Sequence, residues 1–214
     1  MISKLQYITQ NAEGFTHAQL AEEACMSGVD WIQLRVKNKS YAEWKAIAIE
    51  TLAVCRKYHA KLIINDNVEL AKEINADGVH LGKEDSSIAE ARKIFGTTFI
   101  IGGTANTFED IKAHTASGID YIGLGPFRFT STKEKLSPIL GIEGYRQIIN
   151  KCRENNITVP IIAIGGILVN DVSEILSAGV YGVAIASAIT HSPNKKETIK
   201  EFLSQLNQRV LKSV

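Results

Sequence analysis

Eight short apolar or β-branched runs alternate with helix-like segments along the 214-residue chain, and this alternation most constrains its fold. The predicted strands are Leu5–Thr9, Trp31–Arg35, Leu62–Asp66, Gly78–Gly82, Phe99–Gly103, Tyr121–Pro126, Pro160–Gly166 and Gly182–Ser187. Runs of this kind suit parallel strands that are buried on both faces. Eight βα units in a chain of this length predict an α/β fold, a single (β/α)8 TIM barrel that spans residues 1–214 as one domain.

The segments between these runs carry helix signals. Tyr41–Tyr58 has apolar residues at helical spacing, Ser87 and Glu90 form a capping-box pattern, and Lys195–Leu211 is the predicted last helix. Asn170-Asp171 is expected to begin another helix, Val172–Ala178. A doubly wound open sheet is the structural alternative, although no GxGxxG motif follows the first strand.

The composition argues against several classes of partner. The chain has 24 basic and 23 acidic residues and a net charge of +1, which predicts no binding to nucleic acid or to an anionic membrane. Its longest wholly apolar or Gly/Pro stretch, Pro160–Val169, is too short to cross a bilayer. The three cysteines show neither zinc spacing nor a disulfide pattern, and no signal peptide is evident. We therefore expect a cytoplasmic protein.

Polar residues collect where the predicted strands end, which is where barrels of this class place their active sites. Gln33, Arg35 and Lys37 alternate along the second strand and are expected to point the same way. Two cations and an amide on one side of a strand end suit a polyanion. Lys133 lies in the loop after the sixth strand, and the sequence predicts that Arg35, Lys37 and Lys133 neutralise a diphosphate.

Asp66 and Asp85 follow the third and fourth strands. Neighbouring strand ends meet at one edge of a sheet, so both carboxylates are predicted to hold one Mg²⁺, a cation that prefers a few carboxylate oxygens together with substrate phosphate. Each aspartate also has a simpler interpretation as the N-cap of the following helix.

Gly165-Gly166 after the seventh strand and Ala186-Ser187 after the eighth resemble the phosphate site that many barrels build there. A plain tight turn is the alternative for the glycine pair. His80 lies within a strand and is interpreted as a core histidine that makes satisfied hydrogen bonds. No role is assigned to the remaining histidines, His17, His59, His114 and His191.

Taken together, these motifs resemble the thiamine-phosphate synthase family. The matching segments are Gln33-x-Arg35-x-Lys37, Ile64-Asn65-Asp66, Asp77-Gly-Val-His-Leu-Gly82 with Glu84-Asp85, Gly123-x-Gly-Pro126 with Thr130-x-Thr132-Lys133, and Ala163-Ile-Gly-Gly-Ile167. The resemblance implies an enzyme that joins 4-amino-2-methyl-5-hydroxymethylpyrimidine diphosphate to a thiazole phosphate and releases diphosphate.

The resemblance also assigns roles to individual residues. It implies that the pyrimidine diphosphate is bound by Gln33, Arg35, Lys37, Asn65 and Lys133, with Thr104 near the pyrimidine. It implies that Asp66 and Asp85 hold Mg²⁺. It implies that the thiazole phosphate is bound by Thr130, Thr132, Gly166, Ala186 and Ser187. The chain departs from the family pattern at Lys83, where Gln is usual, at Thr104, where Ser is usual, and at Phe127–Phe129 and Ala184–Ala186.

Three rival functions stay open at this point. A thiazole tautomerase of the same superfamily would share the Gly-Gly turn but would lack the aspartate pair and the diphosphate cations. Another phosphate-binding isomerase would need a placed acid and base, and no convincing pair stands at the strand ends. A non-catalytic binding barrel would have no need to hold several cations together. Homo-oligomer formation is expected only by analogy with other barrels.

Overall fold

A computed structural model describes residues 2–83, 85–130 and 137–208, and its eight parallel strands close into a barrel in sequence order. The strands are β1 (Leu5–Ile8), β2 (Trp31–Leu34), β3 (Lys61–Asn65), β4 (Gly78–Leu81), β5 (Ile100–Ala105), β6 (Tyr121–Leu124), β7 (Ile161–Ile164) and β8 (Gly182–Ile185). Each strand pairs with the next, and β1 pairs with β8. The predicted TIM barrel is confirmed, and the doubly wound alternative is wrong.

Most strands end earlier than the sequence predicted, because the residues that follow them leave the extended conformation. Asp66 has a φ of 65°, in the left-handed region, so β3 ends at Asn65. Gly165 has a φ of 99°, which ends β7 at Ile164. The exception is β5, which continues past its predicted end because Thr104 and Ala105 still pair with β6. These early ends place the predicted site residues in the loops above the barrel.

The helices alternate with the strands as expected. They are α1 (His17–Met26), α2 (Tyr41–Lys57), α3 (Val68–Glu73), α4 (Ile88–Phe95), α5 (Phe108–Ala116), α6 (Gly141–Glu154), α7 (Val172–Ser177), α8 (Ser187–Thr190) and α9 (Lys195–Asn207). The capping box of Ser87 and Glu90 is present at the start of α4. The end of the predicted last helix lies outside the described residues. In the part of the chain that the structure describes, no helix is long and apolar enough to cross a membrane.

Two apolar layers stabilise the barrel. The outer layer packs alternate strand residues, such as Leu34, Ile64 and Val79, against the surrounding helices. The inner layer lies within the barrel and contains Ile8, Trp31, Ile63, Tyr121, Ile162 and Ala184. The rings of Trp31 and Tyr121 meet edge to face with centroids 4.7 Å apart.

Other inward positions of the strands are polar. Gln6, Gln33, Asn65 and His80 are all less than 9% exposed, although none of them is apolar. Buried polar groups of this kind require hydrogen-bond partners. The barrel interior therefore contains a buried polar layer, formed by these side chains, beside its apolar one.

Candidate active site

The alternation predicted for the second strand is present. Leu34 and Val36 belong to the outer apolar layer, so Gln33, Arg35 and Lys37 face the other way. Gln33 is 2% exposed and lies inside the barrel, whereas Arg35 and Lys37 are partly exposed above it. The end of β2 therefore presents two cations above a buried amide.

A chain of hydrogen bonds crosses the barrel interior and joins two of the predicted substrate residues. Gln33 Nε2 donates to Gln6 Oε1 at 3.0 Å, and Gln6 Nε2 donates to the Tyr121 hydroxyl at 3.2 Å. The same hydroxyl is 3.0 Å from His80 Nδ1, and His80 Nε2 is 3.1 Å from Thr104 Oγ1. Gln33 on β2 and Thr104 on β5 are thus connected through three buried side chains.

Burial raises the pKa of the Tyr121 hydroxyl, so it keeps its proton. This hydroxyl accepts from Gln6, and its own proton matches the His80 tautomer in which Nδ1 is the acceptor. In that tautomer the other ring nitrogen carries the N–H that donates to Thr104, and the Thr104 hydroxyl keeps its own proton for an acceptor elsewhere. His80 has two side-chain partners, which agrees with its interpretation as a core histidine.

The two predicted metal ligands lie beside Gly82. A Cβ atom built on Gly82 would lie 2.8 Å from Asp85 Oδ2 and 3.9 Å from Asp66 Oδ1, so both carboxylates border one gap that glycine leaves open. Asp85 Oδ2 also accepts from the Gly82 N–H at 2.6 Å. Neither aspartate caps a helix, because Asn67 caps α3 and Ser87 caps α4. The alternative interpretation of both aspartates as N-caps is wrong.

The residues around this gap fit Mg²⁺. Among the described residues, no group of three or more His, Cys, Asp or Glu side chains could hold a metal. Of the described residues, Asp66 and Asp85 would offer a cation beside Gly82 two carboxylates, and water and substrate could supply further ligands. Mg²⁺ is commonly bound in this way, through one or two carboxylates and substrate phosphates.

The Gly165-Gly166 turn lies across the barrel, after β7. Both glycines have positive φ, 99° and 68°, a region that other residues rarely adopt. A Cβ on Gly166 would lie 2.5 Å from Arg128 Cγ. Within the described residues, no acceptor is recorded for the backbone N–H groups of Gly166 or Ile167. Successive N–H groups in a turn of this kind can form an anion-binding concavity.

Arg128 and Asp171 flank this turn, and the sequence did not indicate their contact. The Arg128 guanidinium donates to both carboxylate oxygens of Asp171, at 2.7 and 2.8 Å, and to the Gly166 carbonyl at 2.9 Å. Asp171 lies at the predicted start of α7, and its side chain makes no capping bond to this helix. Its Oδ2 instead accepts from the Leu168 N–H at 2.8 Å and from Arg128.

Two more residues border the end of β8. The Ser187 hydroxyl donates to Gln10 Oε1 at 3.3 Å, and Gln10 Nε2 is 2.8 Å from His191 Nε2. Neither Gln10 nor His191 was predicted at the site. Gln10 is brought there by the pairing of β1 with β8, and His191 directly follows the short helix α8 that begins at Ser187. Thr130 is partly exposed in the loop after β6, while Thr132 and Lys133 lie outside the described residues.

The closed barrel, the cation-rich end of β2, the aspartate pair and the Gly-Gly turn define the class of phosphate-binding (β/α)8 barrels. The family described as "Thiamine monophosphate synthase" matches residues 5–189. A thiamine-phosphate synthase of Flavobacterium johnsoniae is 50% identical over 99% of this chain and 100% of its own length. One from Bacteroides fragilis is 48% identical over 94% of this chain and 98% of its own.

A solved structure gives the same result. The thiamine phosphate pyrophosphorylase of Pyrococcus furiosus superposes with a TM-score of 0.81 at 30% identity and covers 95% of both chains. The chain belongs to the thiamine-phosphate synthase family. This confirms the predicted family and the predicted enzyme class, a transferase, over the isomerase and non-catalytic alternatives.

Proposed function

We propose that the chain couples 4-amino-2-methyl-5-hydroxymethylpyrimidine diphosphate to a thiazole phosphate, giving thiamine phosphate and diphosphate. The single observation that carries this proposal is the pair of carboxylates of Asp66 and Asp85 at the open gap over Gly82. They lie at the same end of the barrel as the Gly165-Gly166 turn, whose N–H groups suit a phosphate.

The topology supports two separate half-sites. In an eight-stranded closed barrel, β3 and β4 lie across the axis from β7 and β8. The diphosphate would be bound on the first side by Gln33, Arg35, Lys37 and Asn65, and Lys133 of the loop after β6 would be a further ligand. The thiazole phosphate would be bound on the other side by Thr130, Thr132, Gly166, Ala186 and Ser187. The anionic ends of the two substrates are then held apart, and their reacting atoms meet above the polar layer.

Asp66 and Asp85 would hold Mg²⁺, which when bound supplies positive charge for the departing diphosphate. Arg35, Lys37 and Lys133 would stabilise the same charge as the carbon–oxygen bond breaks and its electron pair leaves with the diphosphate. The thiazole nitrogen then uses its lone pair to form the new carbon–nitrogen bond. No proton has to be removed by the enzyme in these steps, and His80 is accordingly engaged by Tyr121 and Thr104.

The Thr104 hydroxyl would orient the pyrimidine. In the His80 tautomer that donates to Thr104 Oγ1, the Thr104 hydroxyl proton is available for an acceptor on the substrate. Gln33, at the other end of the same chain, is fixed by its bond to Gln6. Side chains held in this way bring the reacting atoms together with little further loss of entropy.

The test is diphosphate release by the purified protein with both substrates and Mg²⁺, compared among Asp66→Asn, Asp85→Asn and Glu73→Gln. Asparagine tolerates the left-handed backbone of Asp66, so this change removes the charge without straining the turn. Glu73 is an exposed carboxylate on α3 that pairs with Lys45, and it serves as the matched control.

Release should require all three components and should fall about 100-fold in both aspartate variants, with a higher Mg²⁺ concentration needed for half-maximal rate. The control should retain the wild-type rate. If the folded wild-type protein released no diphosphate, the proposed reaction would be wrong. If either aspartate variant kept the wild-type Mg²⁺ dependence, the proposed metal site would be wrong.

We also propose that the protein works in the cytoplasm on these small molecules, without nucleic acid or membrane partners. The net charge of +1 supports the absence of such partners. Homo-oligomer formation stays a prediction, and light scattering on the purified protein measures it directly.

A further inference from the structure

We propose that Arg128 is a positioning residue for the thiazole-phosphate half-site, and that it acts by holding the Gly165-Gly166 turn in its binding conformation. The identity of the ligand rests on the proposed function. The positioning role rests on contacts that are independent of that function.

Three contacts fix Arg128 against the turn. Its guanidinium forms a two-bond pair with Asp171 and also donates to the Gly166 carbonyl. Its backbone N–H donates to the Gly165 carbonyl at 3.0 Å. Its side-chain stem fills the space where a Cβ of Gly166 would stand. One residue therefore contacts both glycines through its backbone, its stem and its charged group.

The bond to the Gly166 carbonyl determines which way the next N–H points. The carbonyl of Gly166 and the N–H of Ile167 belong to one planar trans peptide unit, so they point in opposite directions. Because Arg128 holds the carbonyl on its own side, it directs the Ile167 N–H away from itself. That N–H has no recorded acceptor within the described residues. Arg128 thus orients a donor without binding the ligand.

The turn needs such a support because two successive glycines have unusually large conformational freedom. Without this support, phosphate binding would have to order the turn. The entropy lost when one residue's backbone is fixed weakens the binding constant by roughly tenfold. Asp171 is 17% exposed, while Arg128 is 44% exposed. The carboxylate is thus the better-shielded partner, and it anchors the arginine to the start of α7.

The same residue ties the loop after β6 to the end of β7. The Phe127 N–H donates to the Ile164 carbonyl at 2.8 Å, directly before the Arg128 bond to Gly165. The base of the loop that carries Thr130 therefore continues alongside β7. Arg128 contacts the turn after β7, on the proposed thiazole side, whereas the aspartate pair follows β3 and β4 across the barrel axis. Its removal should affect one substrate and not the other.

The experiment compares Arg128→Gln and Arg128→Lys with Arg56→Gln, which is a matched control. Arg56 also bridges a carboxylate and a backbone carbonyl, with bonds to Asp77 at 3.1 Å and to the Asn75 carbonyl at 3.0 Å. It lies at the opposite end of the barrel, before β4. Steady-state kinetics give KM for each substrate and kcat.

Arg128→Gln should raise KM for the thiazole phosphate about tenfold, with KM for the pyrimidine diphosphate and kcat changed less than about threefold. Arg128→Lys should recover only part of the loss, because an ammonium cannot contact Asp171 in two bonds and the carbonyl together. Arg56→Gln should change none of these values. An unchanged KM for the thiazole phosphate, or an equal rise for both substrates, would overturn the proposal.

Calorimetry separates this proposal from the proposed function. If the wild-type protein released no diphosphate, the reaction would be wrong, but binding of the thiazole phosphate could still be compared between wild type and Arg128→Gln. Weaker binding in the variant would support the positioning role. If wild type and Arg128→Gln bound the thiazole phosphate equally well, or if neither protein bound it, the positioning role would be overturned.

Discussion

The hydrogen-bond chain inside the barrel makes Tyr121→Phe a sharp perturbation. The substitution removes one oxygen atom and keeps the ring that packs against Trp31 at 4.7 Å. In the wild-type protein the Tyr121 hydroxyl lies 3.2 Å from Gln6 Nε2 and 3.0 Å from His80 Nδ1. The substitution leaves both of these nitrogens without their shared partner. The variant is therefore expected to fold, but with two buried polar groups unsatisfied.

The expected loss of stability follows from those two groups. Each buried group left without a partner costs about 1–3 kcal/mol, so with two such groups Tyr121→Phe should lower the free energy of unfolding by about 2–6 kcal/mol. In a domain of this size, where 1 kcal/mol corresponds to roughly 3 °C, that lowers Tm by about 6–18 °C. Tyr7→Phe is the control, because the buried Tyr7 hydroxyl has one partner, Thr190 at 2.8 Å, and its loss should cost about half as much, about 1–3 kcal/mol.

Thermal unfolding followed by circular dichroism measures both variants. Kinetics on Tyr121→Phe add a second readout, because His80 loses the bond that fixes its tautomer and so no longer orients Thr104. KM for the pyrimidine diphosphate should rise while KM for the thiazole phosphate stays near its wild-type value. A Tm for Tyr121→Phe equal to that of Tyr7→Phe would refute the claim that the Tyr121 hydroxyl satisfies two buried groups.

Three further predictions test other parts of the molecule. Gly102→Ala should lower stability by about 1–3 kcal/mol, because its Cβ would lie 2.1 Å from Tyr121 Cζ; a Tm within about 1 °C of wild type would contradict this packing. Burial lowers the pKa of His17 below 6.5, so the unfolded chain gains a proton that the folded chain lacks, and stability should fall by up to about 1.4 kcal/mol per pH unit below pH 6.5. The fall in Tm between about pH 7.5 and about pH 5.5 should be smaller in His17→Gln than in wild type. An identical fall in both proteins would argue against a contribution of His17 to the pH dependence of stability. Lys83→Gln removes a 2.6 Å ion pair with Asp110 that is 42% and 24% exposed, and should cost no more than about 1 kcal/mol in thermal unfolding. A larger loss of stability would contradict the interpretation of this ion pair as an ordinary surface salt bridge.

The parts of the fold that follow from local pattern could be predicted from the sequence. Runs such as Leu62–Asp66 and Gly182–Ser187 are apolar on both faces, and only buried parallel strands account for eight of them. The strand ends were less predictable, because they depend on single backbone conformations. Asp66 adopts a left-handed φ that its residue type permits but does not require.

The site was predictable where it depends on strand order alone. Asp66 and Asp85 follow consecutive strands, and consecutive strands are neighbours in this barrel, so their approach at Gly82 could be expected. The contact of Arg128 with Asp171 was not predictable, because the two residues are 43 positions apart and lie in two separate loops. Loop conformation decides which charges meet, and no periodic pattern encodes it.

The chain of hydrogen bonds across the barrel interior could not be predicted from the sequence either. Alternation predicts that Gln33 points inward, but it says nothing about which inward residue of another strand lies at the same height. That height is set by the register of every intervening pair around the barrel, from Gln33 beside Ile63 to Thr104 beside Gly123. The residue roles assigned to the site stay predictions until substrates are tested.

The pairing of β1 with β8 has a consequence for synthesis on the ribosome. Leu5 pairs with Val183, and the Val183 N–H donates to the Lys4 carbonyl, so the first strand finds its second neighbour only after all seven other strands have been made. Until then β1 and the last finished strand each present an open row of backbone donors and acceptors, which invites pairing with other chains. The nascent protein should therefore be most prone to aggregation just before β8 emerges, and slower translation late in the message should prolong that exposure.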